Sequence, residues 1–127
     1  MPVKYQVIQR KNPQSPQDDD RYYAQAVADG KTDFERLAQL ISYQSTVTEA
    51  DCLAVLVSLE HNIIEELAQG RIVSLGHIGN FQVSISSEGK ETQEEVSVHN
   101  IIKNRILFRP AKRMRNMLST LTYKKAM

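Results

Sequence analysis

Positive charge is concentrated at one end of this sequence. All fifteen acidic residues lie between Asp18 and Glu95. The segment after Glu95 contains only basic charges, on Lys103, Arg105, Arg109, Lys112, Arg113, Arg115, Lys124 and Lys125. Guanidinium and ammonium groups bind phosphate and carboxylate oxygens, so a one-sided cluster of them indicates an anionic partner. A solvated helix face that happens to be basic is the alternative interpretation.

Other side chains capable of chemistry are not grouped for it. The histidines His61, His77 and His99 lack metal-ligand spacing with each other and with Cys52. The two glycines of LGHIGN are not a phosphate loop, because no lysine follows at the required position. They indicate instead a turn with positive φ and a close backbone approach. We therefore predict no enzymatic activity, no metal, no cofactor and no small-molecule substrate.

Length and composition favour one globular domain with a small appendage, since the chain has 127 residues. The N-terminus is charged where a secretory signal is apolar, and no apolar run is long enough to cross a membrane. Cys52 is the only cysteine, which excludes an internal disulfide, and it lies on an apolar helix face, where we expect it to be buried. These features predict a cytoplasmic protein without a membrane partner.

Two helices are predicted in the first half of the chain. Thr32 and Glu35 have the spacing of a capping box at the start of the first helix. The second helix is capped by Thr48, runs to about Gln69 and ends at Gly70. Its main apolar positions are Leu53, Leu56, Val57, Ile63, Ile64 and Leu67. Because one short helix cannot cover so wide a surface, we predict packing against a second copy; burial under the sheet of the same chain is the alternative.

Strands surround a glycine turn in the second half. The sequence RIVSLGHIGNFQVSIS, residues 71–86, ends in strict alternation, in which Phe81, Val83 and Ile85 point to one side. We predict strands at 71–74 and 81–86, with further strands in EEVSV and NRILF. A last helix is predicted to begin at Pro110, whose missing N–H suits the first helical position.

The N-terminal residues predict a β-hairpin. The strands are VKYQVI and YYAQAV, and the long loop RKNPQSPQDDD joins them through two prolines. We therefore expect a hairpin extension over residues 1–31 and a second domain over residues 32–127.

The order of elements over residues 32–121 resembles the HU/IHF family of bacterial histone-like DNA-binding proteins. LGHIGNF is similar to the GFGTF-type turn of that family, with His77 and Ile78 as variants. FRPAKRMRNML is similar to its FRAGKALK-type helix start, with Pro110 and Ala111 in place of Ala-Gly. The matching aromatic and basic positions are Phe108, Arg109, Lys112 and Arg115. The N-terminal segment resembles an HU-like subgroup of Bacteroidetes.

This resemblance implies an α+β fold and an intertwined homodimer. In that dimer a helical base supports an antiparallel β-sheet saddle with a short arm. It also implies a histone-like, nucleoid-associated protein that binds double-stranded DNA with little sequence preference, through phosphate contacts and DNA deformability. The implied phosphate-binding residues are Arg105, Arg109, Lys112, Arg113 and Arg115, with Lys103 and Lys90 as outliers. The implied dimer core consists of Leu53, Leu56, Val57, Ile63, Ile64 and Phe81.

One segment departs from the family pattern. The arms of HU are rich in Arg and Lys and carry a proline at the tip. The equivalent segment here lacks proline, and its one basic residue, Lys90, is outnumbered by the acidic residues Glu88, Glu91, Glu94 and Glu95. Because DNA repels an acidic arm, the alternative function is a structural or protein-interaction module that keeps the HU dimer and binds DNA weakly. The sequence RKNPQSP resembles the missing tip, and is either a relocated arm or a proline turn.

Overall fold

The computed structural model describes residues 2–11, 13–15, 17 and 19–126. Two compact units are present: Met1–Asp33 together with Met117–Met127 forms the first, and Phe34–Asn116 forms the second. The C-terminal segment thus groups with the N-terminal hairpin, which the sequence patterns did not indicate. The functional division into residues 1–31 and 32–127 stays a prediction. In the described part of the chain, no helix has the length and apolar character that a membrane crossing requires.

The chain folds as an α+β protein. Its elements are β1 (Val3–Arg10), β2 (Arg21–Val27), α1 (Phe34–Tyr43), α2 (Glu49–Ala68), β3 (Val73–Ser74), β4 (Gly79–Ser87), β5 (Ile101–Pro110), α3 (Lys112–Leu118) and β6 (Tyr123–Lys125). Two single-turn 3₁₀ helices, Gln93–Glu95 and Val98–Asn100, lie between β4 and β5.

The first unit contains a three-stranded sheet in the order β2-β1-β6. The predicted hairpin is confirmed, because β1 and β2 pair antiparallel from Lys4 opposite Val27 to Arg10 opposite Arg21. The third strand, β6, pairs parallel with β1 and was not predicted. Since directly opposed residues share a face of a sheet, each face of this sheet is defined by the register.

The second unit begins with the helix pair α1 and α2. The predicted cap of α2 is confirmed, since the Thr48 hydroxyl accepts a hydrogen bond of 3.2 Å from the Asp51 amide. Gly70 follows this helix with φ of 83°, as a C-terminal glycine should. The predicted cap of α1 at Thr32 is wrong, because α1 begins at Phe34 and its flanking residue is therefore Asp33.

The second sheet has the order β3-β4-β5, and all of its pairs are antiparallel. The strands predicted at 71–74 and 81–86 correspond to β3 and β4 with shifted ends. The strand predicted in EEVSV is wrong, because β4 and β5 pair directly up to Ser87 opposite Ile101. Residues 88–100 are therefore the loop at the end of this hairpin, and local hydrogen bonds fold them into the 3₁₀ helices, such as that from the Val96 amide to the Gln93 carbonyl.

The last helix also starts later than predicted. Pro110 is the final residue of β5, where it lies opposite Gly79, and α3 begins at Lys112. The reason is that the β4–β5 ladder continues to its last rung at Pro110, and a proline is tolerated at a strand end. The Arg115 amide then donates to the Ala111 carbonyl at 2.9 Å, which is the first helical bond of α3.

A single copy of this chain buries very little. Among the described residues, the only buried apolar side chains are those of Ala38 and Cys52, which is 4% exposed as predicted. No large side chain in that part of the chain is fully buried. Large apolar residues stand exposed along α2 and β5 instead, among them Val55, Ile64 and Ile106.

Candidate nucleic-acid interface

The β4–β5 hairpin has one basic and polar face. Lys103, Arg105 and Arg109 are separated by even numbers of residues along β5, so their side chains leave the sheet on the same side, together with that of Leu107. Their partners on β4 are small or neutral, as Ser86 lies opposite Lys103 and Ser84 opposite Arg105. This face, which we call the basic face, therefore carries three cations and no acidic residue from either strand.

The opposite face of the same hairpin is apolar. Phe81 lies opposite Phe108, and their ring centroids are 4.8 Å apart with an angle of 37° between the planes. Val83 opposite Ile106 continues this face toward the end of the hairpin. Aromatic rings at this separation stabilise each other beyond the area that they bury. The cations lie on the other side of the hairpin from these apolar residues, because successive side chains of a strand point to opposite faces.

The glycine turn joins this hairpin to the last helix. The Leu75 amide donates to the Gly79 carbonyl, and the Ile78 amide donates to the Leu75 carbonyl. The Ile78 carbonyl in turn accepts a hydrogen bond of 3.0 Å from the Ala111 amide, just before α3. The turn therefore holds the start of α3 next to the end of the β4–β5 ladder.

Gly79 is required by this arrangement. Its φ is 151°, and a Cβ at this position would meet the Arg109 carbonyl oxygen, the Phe108 ring at 2.8 Å and the Pro110 Cα at 2.9 Å. A side chain would therefore push β5 away from β4 at the point where Arg109 leaves the sheet. The close backbone approach predicted from the sequence is confirmed at this glycine.

Three more cations follow on α3. Lys112, Arg113 and Arg115 are all exposed, and the first turn of this helix contains no acidic residue. Arg115 lies in the last turn of α3, but Lys112 and Arg113 lie in the first turn, where cations are unfavourable because the helix dipole places positive partial charge there. An anion bound next to these residues would remove that cost. Lys112 follows Arg109 by three residues, so their Cα atoms lie within about 11 Å of each other.

None of these six cations is neutralised within the described part of the chain. The ion pairs seen there include those of Lys4 with Asp29, Arg71 with Glu66 and Lys90 with Glu88, and none of them uses one of the six cations. The strand and helix cations of the second unit are thus available to an external anion.

Comparison with known proteins assigns the family. The family described as an HU domain fused to a wHTH, Ig or glycine-rich motif, called HU-HIG, matches residues 1–125. The chain belongs to the HU-HIG family. No curated protein matches this HU-HIG chain.

Two solved structures show the same fold. A crystal structure of a candidate bacterial DNA-binding protein from Bacteroides vulgatus superimposes with a TM-score of 0.63 at 11% identity and covers 97% of this HU-HIG chain. This chain corresponds to only 47% of that protein, or about half its length. Anabaena HU in a cocrystal with DNA superimposes with a TM-score of 0.55 at 20% identity, covering 69% of this chain and 98% of its own. Together they confirm the HU-like fold predicted from the sequence.

The arm position of this HU-HIG chain is occupied by a compact acidic loop, residues 88–100. Its ends are joined by a hydrogen bond of 2.9 Å from the Glu88 amide to the Asn100 carbonyl. The side chain of Asn100 is buried and accepts from the Ser97 amide at 2.8 Å, which closes the second 3₁₀ turn. Lys90, an outlier of the predicted DNA-binding residues, lies 3.7 Å from Glu88 and is therefore partly neutralised. The other loop glutamates, Glu91, Glu94 and Glu95, are exposed.

The predicted dimer core is incompletely covered in one HU-HIG chain. Half-buried side chains are found at Leu53, Leu56, Ile63 and Phe81. Val57 and Ile64 are 53% and 61% exposed, respectively. The chain itself therefore leaves these two side chains largely uncovered.

The basic face also contains two neutral amide residues, Asn80 and Gln82, that were not among the predicted DNA-binding residues. Asn80 lies opposite Arg109 and Gln82 opposite Leu107, so both share the face of the strand cations. Alternation placed Gln82 on the side away from Phe81, but only the register shows which β5 residues it accompanies. Amide side chains of this kind both donate and accept hydrogen bonds, which suits contacts to phosphate and sugar oxygens.

Proposed function

We propose that this chain is a non-enzymatic, nucleoid-associated protein that binds double-stranded DNA, mainly through phosphate contacts. The observation that supports this most is the basic face, on which Lys103, Arg105 and Arg109 lie among uncharged residues and form no ion pair with the described part of the chain. The helix cations continue the charge beyond the end of β5. A cytoplasmic location on the nucleoid follows from such a role.

Little sequence preference is expected of this surface. Bases are distinguished by side chains that reach their edges in a groove, whereas phosphate contacts carry no direct sequence information. The basic face offers charged groups together with short serine hydroxyls, and its cations span about 20 Å of strand between positions 103 and 109. Such a row suits a continuous phosphate backbone.

The proposed active form is a homodimer. The chain exposes 11004 Å². A compact monomer of 14.5 kDa exposes roughly 6,900 Å², and two separate units of the observed sizes together expose roughly 8,000 Å². The excess of a few thousand Å² is of the order buried by obligate homodimers. Exposed α2 residues such as Val57 and Ile64, and the apolar face of the β4–β5 hairpin, are the surfaces that a second copy would cover.

The test is the salt dependence of binding to duplex DNA. Each phosphate contact contributes about −0.9 to the slope of log K against log salt. Six cations per chain therefore set an upper limit of about −11 for a dimer. A slope of several units on unrelated duplex sequences supports the proposal, whereas a slope near zero contradicts phosphate-driven binding.

A second candidate function is supported by the acidic loop. A structural or protein-interaction module would keep the dimer and bind DNA weakly, because four glutamates lie where HU carries a basic arm. Heparin and DNA resins distinguish the two, since such a module elutes from both at low salt. Elution from DNA resin only at high salt favours the DNA-binding function.

A further inference from the structure

The sheet of the first unit has two different faces. On one face, Tyr5 lies opposite Ala26 and Val7 opposite Ala24, which makes it apolar. On the other face the last rung of the hairpin brings Arg10 directly opposite Arg21. Like charges placed opposite each other destabilise a strand pair. This arrangement needs a reason, and neither arginine is engaged in an ion pair with the described residues.

A concavity on this face is lined by Arg10 of the pair, whereas Arg21 lies outside its lining. Its volume is about 520 Å³, and its lining includes Ile8, Arg10, Lys11, Tyr23 and Gln25. The register gives the same grouping independently, because Tyr23 lies opposite Ile8, two residues from the arginine rung. The Tyr23 residue is 43% exposed, so its ring is accessible from this concavity.

This combination of groups fits a nucleotide strand. The guanidinium groups and the lysine bind phosphates, and an open aromatic ring provides a surface on which a base can stack. The Gln25 Oε1 accepts from the Gln6 Nε2 at 3.4 Å, which leaves the Gln25 amide N–H groups as donors for the polar edge of a base. A volume of about 520 Å³ lies within the range of sites that hold one small organic group, such as a single nucleotide.

We propose that the face of the N-terminal sheet carrying Arg10, Arg21 and Tyr23 binds single-stranded DNA. One nucleotide occupies the concavity, with its base stacked on Tyr23 and its phosphate on Arg10 and Lys11, and the adjoining phosphate outside the concavity binds Arg21. Asp19 and Asp20, which precede Arg21 in the loop, reduce the net charge here, so stacking contributes much of the affinity. This activity is separate from the proposed duplex binding by the second unit.

The experiment measures binding of the full chain to labelled oligo(dT) and, in parallel, to a labelled duplex. Tyr23→Leu is expected to weaken oligo(dT) binding about tenfold, within the range for loss of one stacked base. The double variant Arg10→Gln/Arg21→Gln is expected to weaken it as well, and to flatten its salt slope by about 1.4 units per chain. Neither variant should weaken duplex binding by a comparable factor.

The matched control is Tyr22→Leu, which removes the neighbouring ring from the opposite face of the same strand. It should leave oligo(dT) affinity unchanged. Equal losses for Tyr22→Leu and Tyr23→Leu, or no loss for Tyr23→Leu, overturn the proposal. Loss of duplex and oligo(dT) binding together in the arginine variant, with Tyr23→Leu unaffected, also overturns it, since the face is then a plain phosphate contact.

A measurement on the unmodified chain keeps the proposal testable if a variant does not fold. Nitration of tyrosines, located by mass spectrometry, should be suppressed by oligo(dT) at Tyr23 and not at Tyr22. Equal protection of both rings, or of neither, contradicts the proposed site. The duplex titration made in parallel reports separately on the proposed function, because loss of duplex binding alone leaves the single-strand site standing.

Discussion

Removal of the two arginines of the basic face should weaken duplex binding in a salt-dependent way. The change is Arg105→Gln/Arg109→Gln, which keeps polar side chains of similar length and removes one charge at each position. Both residues are exposed and lie on the same side of β5, opposite Ser84 and Asn80. The substitutions therefore leave the Phe81–Phe108 pair and the strand register undisturbed.

The magnitude follows from the number of phosphates that no longer meet a cation. Two cations per chain give four in a dimer, so the slope of log K against log salt should become less steep by about 3.6 units. The ratio of the wild-type to the variant binding constant should consequently be about 100-fold smaller at about 200 mM salt than at about 50 mM salt. Such a change is far larger than the scatter of a binding titration.

The assay is fluorescence anisotropy of a labelled duplex at a series of salt concentrations. The matched control is Arg36→Gln/Arg71→Gln, which removes the same charge from α1 and from the Glu66 ion pair, both outside the β4–β5 hairpin. The control should give nearly the wild-type slope of log K against log salt. Equal slopes of log K against log salt for the wild type and the Arg105/Arg109 variant would refute phosphate binding by this face. An equal change of slope in the control would refute it as well.

Further predictions concern the dimer, the glycine turn, the helix cap and the acidic loop. Ile64→Asp should unfold the protein in thermal denaturation, because an obligate dimer lacks a stable folded monomer, whereas Val98→Asp, at another exposed position, should change the free energy of unfolding by less than about 0.5 kcal/mol. Gly79→Ala should lower this free energy by about 1–3 kcal/mol, since the new Cβ meets the backbone of β5; an unchanged value contradicts the close approach. Thr48→Ala should lower the free energy of unfolding, measured by urea denaturation, by about 1 kcal/mol, because the Asp51 amide loses its cap. Exchange of the four loop glutamates for glutamine should tighten duplex binding several-fold at low salt, by about 1 kcal/mol, and no change means that the loop lies away from DNA.

Local patterns predicted much of the fold. The Thr48 cap, the terminal Gly70 and the alternation after Gly79 each depend on interactions within a few residues, so the sequence specifies them directly. The resemblance in LGHIGNF and in the segment from Phe108 to Arg115 then supplied the tertiary arrangement. The strand cations were recognised by residue type, but their common face depends on pairing with β4, which local patterns do not reveal.

The missed features depend on contacts between distant parts of the chain. β6 exists because the Val3 amide bonds the Thr122 carbonyl and the Ala126 amide bonds the Tyr5 carbonyl, and a three-residue strand has no pattern of its own. Pro110 suits a helix start by its chemistry, yet the ladder partner Gly79 keeps it in β5. EEVSV has strand-like composition, but local hydrogen bonds, from the Glu95 amide to the Thr92 carbonyl and from the Val96 amide to the Gln93 carbonyl, fold it into a 3₁₀ turn instead.

Sedimentation of the unmodified chain, alone and with a labelled duplex, tests the central claim most directly. At micromolar concentration the protein alone should sediment at twice the chain mass of 14.5 kDa, and the duplex should co-sediment with it at low salt and separate as salt is raised. A folded species at the mass of one chain, or a dimer that leaves the duplex free at low salt, would contradict the account of a homodimeric, phosphate-binding HU-HIG protein.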